Sequence, residues 1–144
     1  IKESNQDCQN LQRLIDLNKT HDFSILTGSE HLIVVGLQMG CDGFIGGLHN
    51  ICPHIAVALY RAFLNGDLDG ARGFQRDLTA TCELFKYGAI WGGFDEALRY
   101  LKIADCATGA PYVSRLTQDE AAKVDSIVDR YVGPYLHNAV KLSR

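Results

Sequence analysis

Ile1-Lys2-Glu3-Ser4, taken with Gly40-Cys41-Asp42-Gly43-Phe44-Ile45-Gly46-Gly47, is the pair of segments that decides the fold. The first four residues are long enough to close a strand. A two-residue period puts Lys2 and Ser4 on one side of it and Ile1 and Glu3 on the other. The second segment reads as another brief strand over 42–46, with glycines where side chains would crowd. Between them the pattern alternates. Asp7 is placed to cap a helix over about Cys8–Asn18, where apolar residues recur at Cys8, Leu11, Leu14, Ile15 and Leu17. Phe23-Ser24-Ile25-Leu26 reads as a short buried strand ending at Thr27-Gly28. Gly28-Ser29-Glu30 then turns into a helix over His31–Met39. That helix is apolar on nearly every side, so neighbours are expected to cover it, and Gly40 is its expected stop.

Downstream the chain becomes helical. Asn50 is expected to cap a helix with Pro53 in its first turn, where a missing N–H costs little. The helix runs to about Leu64 and closes at Asn65-Gly66. Over Asp67–Tyr87 the residues Leu68, Ala71, Phe74, Leu78, Cys82 and Phe85 share one face. A further helix is expected after a break at Gly92-Gly93, over about Phe94–Ala104. Cys106–Leu116 reads as a loop, and Thr117-Gln118-Asp119-Glu120 matches a capping box that opens a last helix. Gly133-Pro134 should interrupt it.

Short strands alternating with helices imply right-handed crossovers and a parallel sheet. Three strands cannot close such a sheet, whose faces need cover and whose edges need partners. A complete barrel of this kind takes about 250 residues, against 144 here. The fold class read from this order is α/β, the second part of a TIM (β/α)8 barrel with additional C-terminal helices. Residues 1–87 are the barrel units and 88–144 a helical extension packed on them. The opening Ile-Lys-Glu-Ser, with neither an initiator Met nor a signal-peptide core, reads as an internal cut point.

Composition narrows the function classes. The chain is 47% hydrophobic and 22% charged, which suits a soluble globular protein and argues against disorder. Net charge is −3 with no run of Lys or Arg, so nucleic acid and anionic membrane surfaces are poor partners. No apolar run approaches the roughly 18–20 residues of a membrane span. Cys8, Cys41, Cys52, Cys82 and Cys106 are odd in number, widely spaced and never form Cys-x-x-Cys. That usage points to reduced thiols and a cytoplasmic location.

The order and spacing of these units carry a family resemblance over nearly the whole chain. Ile1-Lys2-Glu3-Ser4 with Asp7, Leu26-Thr27-Gly28-Ser29-Glu30, and Gly40-Cys41-Asp42-Gly43-Phe44-Ile45-Gly46 resemble the dihydrodipicolinate synthase and N-acetylneuraminate lyase superfamily. Asn50…Pro53, Ala58-Leu59-Tyr60, Asn65-Gly66-Asp67…Ala71-Arg72 and Gly93-Phe94…Ala97-Leu98-Arg99-Tyr100 are similar too. The resemblance implies that the strands are the sixth to eighth of the barrel. It implies that Lys2 forms a Schiff base with pyruvate or another 2-oxo acid, with no further cofactor. A neutral amine is needed for that chemistry, whereas an ordinary lysine, with pKa about 10.4, is protonated at neutral pH and depends on burial to lose its proton. By the same resemblance Ser4, Gly28, Ser29, Glu30, His31, Ile45 and Gly47 contact substrate. Sialate lyases carry an aromatic and two acids where this chain has Ser29, Glu30 and His31, and a serine at Gly47. Polyhydroxyl recognition needs matched donors and acceptors, so these departures point to a different 2-oxo acid, such as a sugar-acid derivative. Aldol cleavage, dehydration and synthase-type condensation of pyruvate with an aldehyde all use the same imine.

The family's catalytic tyrosine and its small-hydroxyl loop lie on earlier strands. Tyr60, Tyr87, Tyr100, Tyr112, Tyr131 and Tyr135 come too late to supply it. A missing N-terminal half is therefore an expected partner, the fragment alone is expected to be inactive, and family habit makes a homotetramer the expected assembly. Two rivals stand beside this reading. His49-Asn50-Ile51-Cys52-Pro53-His54, with His31, offers N and S ligands that suit zinc and a metal-dependent lyase. An inactive homologue kept as a binding subunit is the other.

Overall fold

The computed structural model describes residues 1–105 and 115–136, so most of the loop expected over Cys106–Leu116 lies outside the described residues. Three two-residue strands, β1 (Lys2–Glu3), β2 (Leu26–Thr27) and β3 (Gly43–Phe44), form a parallel sheet in the order β1-β2-β3. Lys2 is level with Leu26 and Leu26 with Gly43, while Glu3 is level with Thr27 and Thr27 with Phe44. Side chains alternate along a strand, so Lys2, Leu26 and Gly43 share one face and Glu3, Thr27 and Phe44 the other.

The second face is covered. Thr27 is buried against α2 (Ile33–Met39) at Gly36, where a Cβ would fall 2.8 Å from the Thr27 methyl. Phe44 packs edge-on to Tyr60 of α3 (Pro53–Leu64), with ring centroids 5.8 Å apart. The first face lies open, with Lys2, Ser4 and Ile45 exposed.

Local chemistry sets the connections. The Asp7 carboxylate accepts from the Gln9 and Asn10 amides at 2.9 and 3.1 Å, which starts α1 (Cys8–Asn18) as expected. α1 buries Leu11 and Ile15 against Ile25 and Cys41. β2 starts later than the sequence suggests, because the pairing that defines it begins at Leu26, whose N–H donates to the Ile1 carbonyl. One residue earlier, the Ile25 N–H is taken by the Asp42 carboxylate at 2.7 Å. Beyond Ser29 a 3-10 turn (Glu30–Leu32) leads into α2, which ends on Gly40 at φ +112°. That left-handed stop is a conformation glycine adopts without penalty.

A second 3-10 turn (Gly47–Asn50) follows β3. Asn50 does not cap α3: its side-chain amide donates to the Gly47 carbonyl inside that turn, and Cys52 takes the cap position. Pro53 opens α3 as expected. The run expected as one helix to Tyr87 divides into α4 (Leu68–Thr81) and a tighter 3-10 segment over Cys82–Lys86.

α5 (Trp91–Tyr100) starts three residues before the expected position. The break lies upstream of the glycine pair, where Gly88, Ala89 and Ile90 take φ of +59°, +52° and +76°. The Trp91 N–H donates to the Ala89 carbonyl at 2.9 Å, closing a γ-turn with positive φ at its centre. Gly93 is inside the helix because a Cβ there would sit 2.0 Å from the Leu84 carbonyl oxygen.

α6 (Gln118–Tyr131) opens on the expected Thr117–Glu120 capping box and ends ahead of Gly133-Pro134. One core cluster joins α2 through α6, with Leu59, Leu78, Leu84, Ala97, Val124 and Val128 at its centre. No helix of the described residues is long and apolar enough to cross a membrane.

Candidate functional site

The open face of the sheet is built around Gly28. A Cβ at that position would lie 2.2 Å from Ser4 Oγ and 2.4 Å from Lys2 Cε. A side chain there would displace both, so glycine at 28 lets the Lys2 stem and the Ser4 hydroxyl pass over the end of β2. The Gly28 N–H donates to the Glu3 carbonyl at 2.6 Å, and the Ile45 N–H to the Thr27 carbonyl at 3.0 Å, so pairing runs on beyond the strand ends. Alternation carries Ile45 to the face of Gly43. The structure therefore brings Lys2, Ser4, Gly28 and Ile45 together at the carboxyl ends of parallel strands, where sheets of this kind hold ligands.

Glu30 reaches the same rim but is already engaged. Its Oε1 accepts from the Gly47 amide at 2.8 Å and the Leu48 amide at 3.4 Å. A Cβ on Gly46 would lie 2.6 Å from that oxygen, so a larger residue there would push the carboxylate aside. The Gly46 amide donates to His49 Nδ1 at 3.1 Å, so the neutral ring carries its proton on Nε2. That Nε2 is buried and has no partner among the described residues. Burial holds the His49 pKa below its usual 6.5; the Glu30 charge opposes this and the Lys2 charge adds to it. The Glu30 backbone is fixed in turn by Gln75 of α4, whose side-chain amide donates to the Glu30 carbonyl at 2.7 Å and accepts from the Val34 amide at 3.1 Å.

Two expected residues lie elsewhere. Ser29 continues the extended chain (φ −103°, ψ 117°), so it points away from the Gly28 face. It is buried, and its Oγ has no partner among the described residues. His31 is exposed within the 3-10 turn before α2. Gly47 stands at the rim through its amide, held by Glu30.

A cavity of about 470 Å³ runs beside β3, lined chiefly by Leu26, Phe44, His49, Val57 and Tyr60. It lies along the strand's unpaired edge, and its lining is largely apolar.

The sequence offered His49, Cys52 and His54 as metal ligands. His49 Nδ1 is taken by Gly46, and the Cys52 thiol donates to the Leu48 carbonyl at 3.3 Å. Burial, with the neighbouring Cys82 and Glu30, pushes Cys52 up to about 12. His54 is exposed. Among the described residues no group of three or more His, Cys, Asp or Glu side chains is placed to hold a metal ion.

Sequence reasoning missed Gln75 and the inward role of His49. Gln75 bonds to Glu30 across 45 positions, and nothing local marks it. The His49 role had a faint signal, since three residues after Gly46 a side chain can turn back to the preceding amide.

The chain matches the profile of the dihydrodipicolinate synthetase family over residues 1–130. It is 31% identical over 98 residues to an uncharacterised DapA-like lyase of Halobacterium salinarum, covering 68% of this chain and 32% of that one. Its structure superposes on dihydrodipicolinate synthase from Bacteroides thetaiotaomicron with a TM-score of 0.78 at 27% identity, covering 90% of this chain and 45% of the other. For YagE, a prophage protein of the dihydrodipicolinic acid synthase family from Escherichia coli K12 in complex with pyruvate, the values are 0.80 and 22%, with 91% and 45% covered. The chain thus spans less than half the length of each of these proteins. Its three-stranded sheet agrees with part of the TIM barrel they share.

Proposed function

Because the chain belongs to the dihydrodipicolinate synthetase family, we propose that it is the second half of a Schiff-base lyase acting on a 2-oxo acid, with Lys2 as the imine-forming residue. The observation that carries this reading is the convergence of Lys2 and Ser4 on Gly28 at an open, carboxyl-end face. On the same reading β1, β2 and β3 are the sixth, seventh and eighth strands, and an N-terminal half closes the barrel. Complexes with pyruvate among structural neighbours support a small 2-oxo acid as ligand.

In this mechanism the neutral Lys2 amine adds to the C2 ketone, water leaves, and a protonated imine forms. A base from the other half of the barrel takes the C4 hydroxyl proton, and C4 leaves as an aldehyde as the bond between C3 and C4 breaks. The electron pair of that bond moves toward the imine nitrogen, giving an enamine. Protonation at C3 and hydrolysis release pyruvate and regenerate the amine. Ser4 is placed to hydrogen-bond the substrate beside the imine. Ile45 and Gly47 shape the wall opposite, and Gly28 keeps the Lys2 path clear. Lys2 is exposed in this chain, so on this reading its enclosure comes from the other half of the barrel.

The expected outcome with the full-length protein is pyruvate release from at least one 2-oxo sugar acid in a screened panel, read by a coupled reductase. Lys2→Arg, which keeps the charge but forms no imine, should lower the rate by at least about a thousandfold, the scale of a lost covalent route. A Lys2→Arg protein that keeps its rate would remove Lys2 from the chemistry.

A further inference from the structure

We propose that Glu30 is a positioning residue of the imine site: it holds the Gly46–Leu48 turn, and through it Ile45 and Gly47, in place over Lys2, without itself binding the 2-oxo acid. The proposal rests on the Lys2 reading above.

Three consecutive amides, those of Gly46, Gly47 and Leu48, face inward at the end of β3. Successive N–H groups in a turn form a concavity that favours an anion. Here each amide already has an acceptor from the chain itself. His49 Nδ1 takes the first, and Glu30 Oε1 takes the other two. The carboxylate is brought there from the other loop by a backbone that Gln75 pins to α4. Gly46 closes over the Glu30 side chain so closely that a Cβ there would displace the carboxylate from its amides. A side chain gripped on both sides is poorly free to follow a substrate. It is well placed to fix the one segment that follows Ile45.

The test is an imine-trapping titration of the full-length protein with pyruvate and borohydride, beside hydrogen exchange of the Gly47 and Leu48 amides. Glu30→Gln keeps an acceptor oxygen and should stay within about threefold of wild type. Glu30→Ala should need roughly tenfold more pyruvate or worse, the scale of one charge-assisted hydrogen bond, and should lose protection at both amides. Acetate, a carboxylate free in solution, should restore both readouts in Glu30→Ala in a saturable way. If Glu30→Ala does not fold, Glu30→Asp, one methylene too short to reach both amides, takes its place with the same acetate series. Loss of trapping in Glu30→Ala and Glu30→Gln alike, with amide protection unchanged and no effect of acetate, would overturn the proposal and make Glu30 a substrate ligand. An unimpaired Glu30→Ala would also overturn it. Absence of any adduct in the wild type removes the Lys2 reading instead, so the two failures are told apart.

Discussion

At the scale of single residues, the chemistry of the rim depends on which groups are already satisfied. His49 shows this most directly. Its ring is held neutral by burial, with Nδ1 occupied by an amide donor. The folded protein therefore takes up that proton less readily than the unfolded chain. Its contribution to stability is complete above the ordinary histidine value of 6.5 and is lost as pH falls below it, levelling off once pH passes the folded value. Urea midpoints of wild type should thus fall more between pH 7.5 and 5 than those of His49→Gln, which offers Gly46 an acceptor that does not titrate. Parallel pH profiles would mean that His49 charges freely in the native state. The shared side of Lys2 and Ser4 was legible from period-two alternation, whereas Gly28 and Ile45 were expected near them from the family resemblance alone. The buried position of Ser29 was not legible. Its neighbours matched the family pattern, but the extended backbone at 29 turns the hydroxyl to the covered side.

At the scale of elements, helix starts were readable where a side chain makes the cap. They were missed where backbone geometry does. Asp7 and Thr117 announced α1 and α6, and both make the expected bonds. The start of α5 was misplaced because Gly92-Gly93 reads as a breaker, whereas the turn is made by Ala89 and Ile90 at positive φ. A β-branched residue at the centre of such a γ-turn is strained. Ile90 is also 52% exposed, so little packing is lost with its side chain. Ile90→Gly should stabilise the protein by about 1 kcal/mol, since glycine enters that region freely. Gly93→Ala should destabilise it by about 1–3 kcal/mol or more, as overpacking against the Leu84 carbonyl forces the helix away. Denaturant midpoints check both. A destabilised Ile90→Gly would show that the side chain packs on something beyond the described residues.

At the scale of the whole molecule, the sheet has one face lined with helices and one face bare, and its outer strands β1 and β3 have no further strand partners among the described residues. A parallel sheet is stable when both faces are covered. The bare face is also the one that carries Lys2. The element order already pointed to an open three-stranded sheet, because three strands fall far short of a closed barrel. The clasp between Glu30, Gly47 and Gln75 was not readable, because its partners lie 17 and 45 positions from Glu30. Tertiary packing alone brings them together. On the proposed reading, fold and chemistry meet at Lys2, which stands on the open face.

The most direct test is to treat the full-length protein with pyruvate and borohydride and read the adduct by intact and peptide mass. A reduced pyruvyl adduct on the peptide containing Lys2, absent from Lys2→Arg, is the predicted result. A folded protein that gives no adduct, or one that carries it on another lysine, would contradict the assignment of Lys2 as the imine-forming residue.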